Sequence, residues 1–484
     1  MGQPIRYHYH LMGIGGTGMS GLAELLHGLG HRVSGCDLDA SGPAARHLRS
    51  LGVEVAWGHD PAHVEGADVL VVSSAIAPDH PEREAAVRLG VPVRHRAEVL
   101  AEALAGRRLV AVAGAHGKTT TTGLIAHMLT AAGLDPTVAV GYALPGLPTG
   151  ARLGGGPWAV AEVDESDGSF LAFRPDVAVV TTIEPDHLEN WGHAFERLVE
   201  GYARFLEQVR PDGVWVLGVD SPALRRLLEG EDGAPPRLAP GGRRVQRYGL
   251  VAGLELGAGP RWTATDVRVE ARGSRWTALC EGRPVAQVRL AIPGRHNVAN
   301  ALAALAVAEA LGLDLQEAAR SLQGFQGARR RFEVLAEQGG VMVVDDYAHH
   351  PTEIAATIRA AREGFPDRRL VAVFQPHRYH RTAALLEELA GAFDEADAVV
   401  LTEVYGPPPE RPIPGVDGQT LYRRLLARPA WQGRAERAWF CPTLEQVQAR
   451  ALAEARPGTL LLVMGAGSIT RVAHALAERL RSSG

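Results

Sequence analysis

The sequence predicts an α/β protein built from three successive units. Three observations carry that prediction. A strand–turn–helix–strand rhythm opens the chain, the rhythm restarts after a polar break at Gly106 to Arg108, and it starts a third time after "FQGARRRF". The 484 residues leave room for about three domains of roughly 150 residues each. The expected boundaries are residues 1–105, 106–324 and 325–484.

In the first unit, the strand-like run Tyr7 to Met12 leads into a glycine turn and an apolar-periodic segment that continues to about Leu29. A second strand, "HRVSGCD", ends at Asp37, and the run Ala67 to Ser73 reads as a further buried strand. The second unit starts with "RLVAVAGA" and a helix from about Thr119, followed by the strands "WAVAEVD" and "DVAVVTTIE". From about Gly230 to Pro260 the chain is rich in Gly, Pro and Arg, the composition of irregular surface loops. Alternating stretches between Trp262 and Ile292 predict an antiparallel meander, and an alanine-rich helix follows "PGRHN". The third unit has strands near Val341, Leu370, Ala398 and Leu460.

Composition narrows the function classes. A formal net charge of -5 gives no basic field for nucleic acid or an anionic membrane. No run of about 18 apolar residues is long enough to span a bilayer, and the N-terminus lacks the apolar stretch of a signal peptide. Cys36, Cys280 and Cys441 are far apart and read as reduced thiols of a cytoplasmic protein, not as a disulfide frame or a zinc site. Of the 50 basic residues, 49 are arginine and one is lysine, Lys118; only three asparagines occur, Asn190, Asn297 and Asn300. Against so biased a background, the position of a rare residue carries weight.

The lone lysine stands in "AGAHGKTTTT", Ala113 to Thr122, between an apolar strand and a helix. A phosphate loop needs that context, because loop amides and the helix N-terminus converge on phosphate oxygens. Gly114, Ala115, His116, Gly117, Lys118, Thr119 and Thr120 are the expected ATP contacts, with Lys118 balancing phosphate charge and the Thr119 hydroxyl holding Mg²⁺. The loop is G-x-x-G-K-T, shorter than the usual G-x-x-x-x-G-K-T.

"GIGGTG" (Gly13, Gly15, Gly16, Thr17 and Gly18) follows a strand and opens a helix, with Asp37 about twenty residues on. A Rossmann-like turn of this kind suits any diphosphate on a helix N-terminus, a dinucleotide or a nucleotide-diphosphate sugar alike. Downstream, "AEVDESDGSF" and "TTIEPDHLEN" cluster Glu162, Asp164, Glu165, Asp167, Glu184, Asp186 and His187 at two strand ends, natural ground for Mg²⁺ ligands.

The ordered set "GIGGTGMSGLAE", "AHGKTTTT", "AEVDESDGSF", "IEPDH", "PGRHNVANA", "FQGARRRF", "DDYAHHPTE" and "FQPHRYHRT" covers nearly the whole chain and resembles the Mur ligase family. The resemblance implies three domains: a Rossmann-like domain for a UDP-sugar, a central P-loop ATPase-like domain with a small antiparallel sheet, and a C-terminal Rossmann-like domain for ATP and the amino acid. It implies ATP-dependent ligation of L-alanine to the lactyl carboxylate of UDP-N-acetylmuramate, through an acyl phosphate, in peptidoglycan precursor synthesis. The alternative is a muropeptide-recycling ligase that attaches a tripeptide to the same sugar nucleotide.

Position by position, the resemblance assigns His59 and Ser74 to the UDP part beside the glycines and Asp37. Glu162 matches the metal-binding glutamate and His187 the histidine of a second metal. Asn297 and Asn300 match adenine contacts, Arg331 and Asp346 further ATP contacts. Tyr347, His349, Arg378 and Arg381 match residues around the incoming amino acid and the acyl group. Sister ligases carry a carbamylated lysine after the histidine; "GYARFLEQ" offers Arg204 instead, so no bridging carbamate is expected. ATP and Mg²⁺ are the implied cofactors, UDP-N-acetylmuramate and L-alanine the substrates, and the chain is expected to be a monomer or homodimer. A dehydrogenase would leave the phosphate loop and both acidic clusters unused.

Overall fold

A computed structural model describes residues 6–230, 237–250, 259–407 and 410–482. Two compact units divide the chain: Met1–Thr265 with Thr277–Val288 and Ala299–Ala328, and Asp266–Trp276 with Arg289–Val298 and Arg329–Gly484.

The first unit opens with a five-stranded parallel sheet of β1 (His8–Met12), β2 (Arg32–Asp37), β3 (Glu54–Trp57), β4 (Val69–Val72) and β5 (Val93–His95), in the order β3-β2-β1-β4-β5. The order reverses at β1, whose carboxyl end runs into the Gly13–Gly18 turn. Ligands settle in the crevice at such a switch point.

The ten-stranded sheet contains β6 (Arg108–Ala113), β7 (Thr137–Ala139), β8 (Ala151–Arg152), β9 (Trp158–Glu162), β10 (Val177–Val180), β11 (Val214–Gly218), β12 (Arg244–Tyr248), β13 (Trp262–Glu270), β14 (Gly273–Cys280) and β15 (Arg283–Leu290). Its order is β15-β14-β13-β12-β11-β10-β6-β9-β7-β8. β6, β9, β10 and β11 are apolar apart from Arg108 and Glu162 at two strand ends, and buried along almost their whole length, as parallel strands covered on both faces require. The phosphate-loop strand β6 lies between β9 and β10, so the acidic strand ends flank it.

One expectation is corrected here. The stretch Gly230 to Pro260 was expected to be irregular, yet Arg244–Tyr248 forms β12, parallel to β11. Gln246 and Tyr248 are buried while Arg244 at the strand start is exposed and Arg247 is half-buried, so pairing with β11 orders a short strand within an arginine-rich stretch. Residues 231–236 and 251–258 lie outside the described residues. The β13–β15 meander is present, and its two-residue connections force antiparallel pairing.

In the second unit, β16 (Glu333–Gln338), β17 (Val341–Asp346), β18 (Arg369–Phe374), β19 (Ala398–Leu401), β20 (Ala438–Phe440) and β21 (Thr459–Met464) follow the order β16-β17-β21-β18-β19-β20. Only the β16–β17 pair is antiparallel. Apolar clusters fill both faces, one around Phe374, Phe393 and Trp431, the other around Val371, Leu461 and Val472. Among the described residues, no helix is long and apolar enough to cross a membrane.

Candidate active site

The phosphate loop is shaped by two glycines. Gly114 takes φ +135°, and a Cβ there would lie 2.0 Å from Thr181 Oγ1. Gly117 takes φ +81° as the N-cap of the helix Lys118–Ala131, and a Cβ would lie 2.6 Å from Asn300 Oδ1. Only glycine suits either place. The loop is pinned to the end of β10: Ala115 N donates to Thr182 O at 2.9 Å, His116 N donates to Thr182 Oγ1 at 3.2 Å, and Thr181 Oγ1 donates to His116 O.

Lys118 Nζ donates to Gly114 O at 2.6 Å and to Glu165 Oε1 at 2.7 Å. Burial opposes the ammonium, but Glu165, Asp164 and Glu162 outweigh it and hold its pKa above the ordinary lysine value. Burial raises the Glu165 carboxyl, with Lys118 pulling it back. We take the pair as ionised, because a charged lysine beside three carboxylates is the stable state. Thr119 Oγ1 donates to Glu162 Oε1 at 3.2 Å, and Gly141 N donates to Glu162 Oε2 at 2.8 Å. The loop and the first acidic cluster therefore meet.

The second acidic cluster sits differently. His187 has φ 54° at the entrance to a short turn, with its ring nitrogens 3.6 Å from Asp186 and 3.7 Å from Glu189. Glu184 lies 3.4 Å from His116 Nε2.

Asn297 and Asn300 occupy one face of the helix Arg295–Leu311. Asn300 lies against Gly117 of the phosphate loop, whereas Asn297 Nδ2 donates to Pro293 O at 2.7 Å within its own turn.

In the glycine-rich turn, Gly13 N and Ile14 N donate to Cys36 O at 2.8 and 3.1 Å. Asp37 Oδ2 accepts from Gly15 N at 2.8 Å, so this carboxylate also braces the loop that it was expected to complement. Arg96 was missed by the sequence reading: its guanidinium lies 2.8 Å from where a Gly18 Cβ would stand, at the start of the helix Thr17–Gly28. Arg96 also meets Asp164 at 3.5 Å. Ser74 Oγ donates to Asp167 and lies 3.1 Å from His95 Nε2. His59 lies elsewhere, its Nδ1 3.1 Å from Glu82 and 3.2 Å from Cys36 Sγ.

The second unit holds its own group. Arg330 and Phe332, on either side of Arg331, both take positive φ (55° and 50°), and Asp346 accepts Phe332 N and Ala348 N at 2.7 Å each. Burial raises the Asp346 carboxyl to about 6, with Arg331 opposing. Arg330 and Arg331 lie over the Tyr347 ring at 5.1 and 5.3 Å, and Arg331 pairs with Glu353 at 3.4 Å. A ring series runs Tyr347–His349–His377–Tyr405, with centroids 5.2, 5.7 and 5.6 Å apart. Burial lowers His349 to about 3, so it is neutral at neutral pH. Its Nδ1 faces Tyr347 O at 3.0 Å, which places the ring proton there and leaves Nε2 as an acceptor. Arg381 is buried, with Nη1 3.3 Å from His377 Nδ1, and Arg378, at φ 70°, caps the same short helix. His377 and Glu353 stood inside recognised motifs but were not singled out; no spacing signal distinguishes them.

A phosphate loop beside carboxylates, a second glycine turn at a strand end, and a separate arginine–histidine group are the arrangement of an ATP-using enzyme. Family models agree: "Mur ligase family, catalytic domain" matches residues 8–108, "Mur ligase middle domain" 112–308, and "Mur ligase, glutamate ligase domain" 330–467. The chain belongs to the Mur ligase family and has its three-domain architecture. Within the family, it is 48% identical over 474 residues to a UDP-N-acetylmuramate–L-alanine ligase of Symbiobacterium thermophilum, covering 98% of this chain and 94% of that protein. The solved UDP-N-acetylmuramate-alanine ligase of Thermotoga maritima is similar with a TM-score of 0.81 and 28% identity, over 99% of this chain and 100% of that one. A murein peptide ligase of Psychrobacter arcticus shares the fold, with a TM-score of 0.69 at 24% identity over 98% of each chain.

Proposed function

We propose that the chain joins L-alanine to the lactyl carboxylate of UDP-N-acetylmuramate with ATP, giving UDP-N-acetylmuramoyl-L-alanine, ADP and phosphate in cytoplasmic peptidoglycan precursor synthesis. The observation that carries the reading is the chain's only lysine, seated in the phosphate loop and paired to a buried carboxylate, in a chain similar throughout to an L-alanine ligase.

The lactyl carboxylate attacks the γ-phosphorus of ATP, the bond to the β-bridging oxygen breaks, and ADP leaves. The amine of L-alanine then attacks the acyl carbon, inorganic phosphate departs, and the nitrogen loses its proton. Both nucleophile and phosphate are anionic, so cationic groups and amide donors must lower the repulsion. Lys118, Gly114 to Gly117 amides and Thr120 serve the ATP phosphates in this reading, with Asn297, Asn300, Arg331 and Asp346 at the nucleoside. The Gly13–Gly18 turn, Asp37, His59 and Ser74 serve the UDP sugar, and Arg96 joins them. Thr119 and Glu162 present hard oxygen donors 3.2 Å apart beside the loop, a fit for Mg²⁺, with His187 assigned to a second ion. Such ions supply charge neutralisation at the phosphates. Arg378 and Arg381 suit the alanine carboxylate because a planar guanidinium pairs with it in two places. Neutral His349 offers a hydrogen-bond acceptor, not a charge.

The test is phosphate release from ATP with UDP-N-acetylmuramate and Mg²⁺, with L-alanine, glycine, L-serine or a tripeptide as acceptor. Release that requires the sugar nucleotide and is fastest with L-alanine is expected. Preference for the tripeptide would move the chain to the recycling reaction, and absence of release with every acceptor would overturn the ligase reading.

A further inference from the structure

The five-stranded sheet carries a group of side chains that the ligase chemistry does not use. His10 on β1, Cys36 on β2, His63 in the turn Pro61–Val64, and Glu82 at the start of the helix Pro81–Leu89 each offer one ligand atom, and those atoms all lie within 4.8 Å of one another. Cys36 Sγ lies 3.2 and 3.3 Å from the Glu82 oxygens, and His63 Nδ1 lies 3.0 Å from Glu82 Oε1. Cys36 and Glu82 are 0% exposed and His10 is 2% exposed.

An independent observation points to a ligand. His10 Nδ1 is engaged by Ser34 Oγ at 2.9 Å, while Nε2 is buried with no hydrogen-bond partner among the described residues. A buried, unpartnered imidazole nitrogen is costly. A metal-bound histidine has its other ring nitrogen held by a hydrogen-bonding partner, the place that Ser34 Oγ takes here.

We propose that His10, Cys36, His63 and Glu82 form a tetrahedral site for a zinc-class divalent transition-metal ion, a structural site in the N-terminal sheet. The donor set argues for the class: one thiolate, two neutral imidazoles and one carboxylate suit Zn²⁺ and Co²⁺, not the hard-oxygen preference of Mg²⁺. Charge argues the same way, because thiolate and carboxylate together carry the two negative charges that one divalent ion cancels, leaving a neutral buried centre. On binding, the ion displaces the Cys36 thiol proton to solvent, and both histidines bind as neutral imidazoles.

The four ligands come from four separate segments, so the ion would tie β1 and β2 to the turn and helix that follow β3 and β4. Cys36 also carries, on its carbonyl, the two amides that hang the Gly13–Gly18 turn. The site would therefore stiffen the support of that turn, and it adjoins His59, whose Nδ1 lies 3.2 Å from Cys36 Sγ and 3.1 Å from Glu82 Oε2. The inference stands whether or not L-alanine is the acceptor.

The test is titration of the full-length, chelator-stripped protein with Co²⁺, read by absorption, and with Zn²⁺, read by metal analysis and thermal unfolding. One equivalent of tightly bound ion is expected, with tetrahedral cobalt bands, a thiolate-to-cobalt charge-transfer band and a raised unfolding temperature. Cys36→Ser should abolish the charge-transfer band and weaken binding at least about 100-fold, while Cys280→Ser and Cys441→Ser leave both unchanged. His63→Gln, at a partly exposed position, gives a second reading of affinity if Cys36→Ser folds poorly. Wild-type protein without a thiolate–cobalt band, or a band and affinity indifferent to Cys36→Ser or His63→Gln, would overturn the proposal.

Discussion

Replacing Lys118 by methionine separates what the lysine does for the fold from what it does for ATP. Its ammonium is 2.7 Å from Glu165 Oε1, and Glu165 is only 5% exposed. Removing one partner of a buried ion pair leaves the other charge uncompensated, an effect of about 3–5 kcal/mol. At roughly 2–4 °C per kcal/mol for a domain of this size, Lys118→Met should lower the unfolding transition of the first unit by about 6–20 °C. Adding Glu165→Gln removes the stranded carboxylate, so the double variant should recover part of that loss, with a coupling of roughly 0.5–3 kcal/mol. Activity should behave otherwise. Without the cation at the phosphates, the rate of acyl-phosphate formation should fall at least about 100–1,000-fold, and the second substitution should restore none of it. The assays are calorimetric unfolding of the four proteins of the cycle and ATP-dependent phosphate release. Additive stability losses would refute the ion pair as drawn. Lys118→Met turning over near the wild-type rate would refute the phosphate-loop assignment.

Three further outcomes follow from the same geometry. Gly114→Ala should impair ATP use more than Gly117→Ala, because its Cβ meets Thr181 at 2.0 Å where that of Gly117 meets Asn300 at 2.6 Å; KM for ATP in both variants checks the order. Asp37→Ala should strand the Gly15 amide and weaken UDP-sugar binding about tenfold while leaving KM for ATP in place, as a lost hydrogen bond of about 1–2 kcal/mol requires. Acid should destabilise the second unit: burial lowers His296 to about 4 and His349 to about 3, so below pH 6.5 the unfolded chain binds protons that the folded chain does not, and stability falls with pH. Asp346, raised to about 6, and Asp345, also raised by burial, bind protons preferentially in the folded state and offset part of that fall. The two histidines set the direction: stability should fall as the pH is lowered from about 6 to about 4. His296→Gln should flatten that slope, read by denaturant unfolding monitored through tryptophan fluorescence; an unchanged slope would count against the buried neutral histidine.

Much of the site was legible because loops at strand ends are local in sequence. The phosphate loop announces itself as an apolar strand, two glycines and a lysine within ten residues, and "AEVDESDGSF" follows a strand that must lie beside it. What hid from the sequence was set by tertiary geometry. The strand Arg244–Tyr248 is only five residues long and carries two arginines, a short signal masked by its glycine-rich surroundings. Arg96 reaches the glycine turn from 78 positions away, and no local pattern marks it. The Cys36 group was invisible for the same reason. Its ligands are spread over positions 10 to 82, so the absence of ligand-like spacing between cysteines misses a site that needs only one of them. The positive φ values of Arg330 and Phe332 are likewise held by tertiary partners, Glu333 accepting the Arg330 amide and Asp346 the Phe332 amide.

The central claim, activation of the lactyl carboxylate by ATP for capture by L-alanine, is tested most directly with UDP-N-acetylmuramate labelled with oxygen-18 in that carboxylate. The account predicts that each turnover with L-alanine moves one labelled oxygen into inorganic phosphate and leaves the other in the new amide carbonyl. Phosphate released free of label, or released at the same rate without L-alanine, would contradict it.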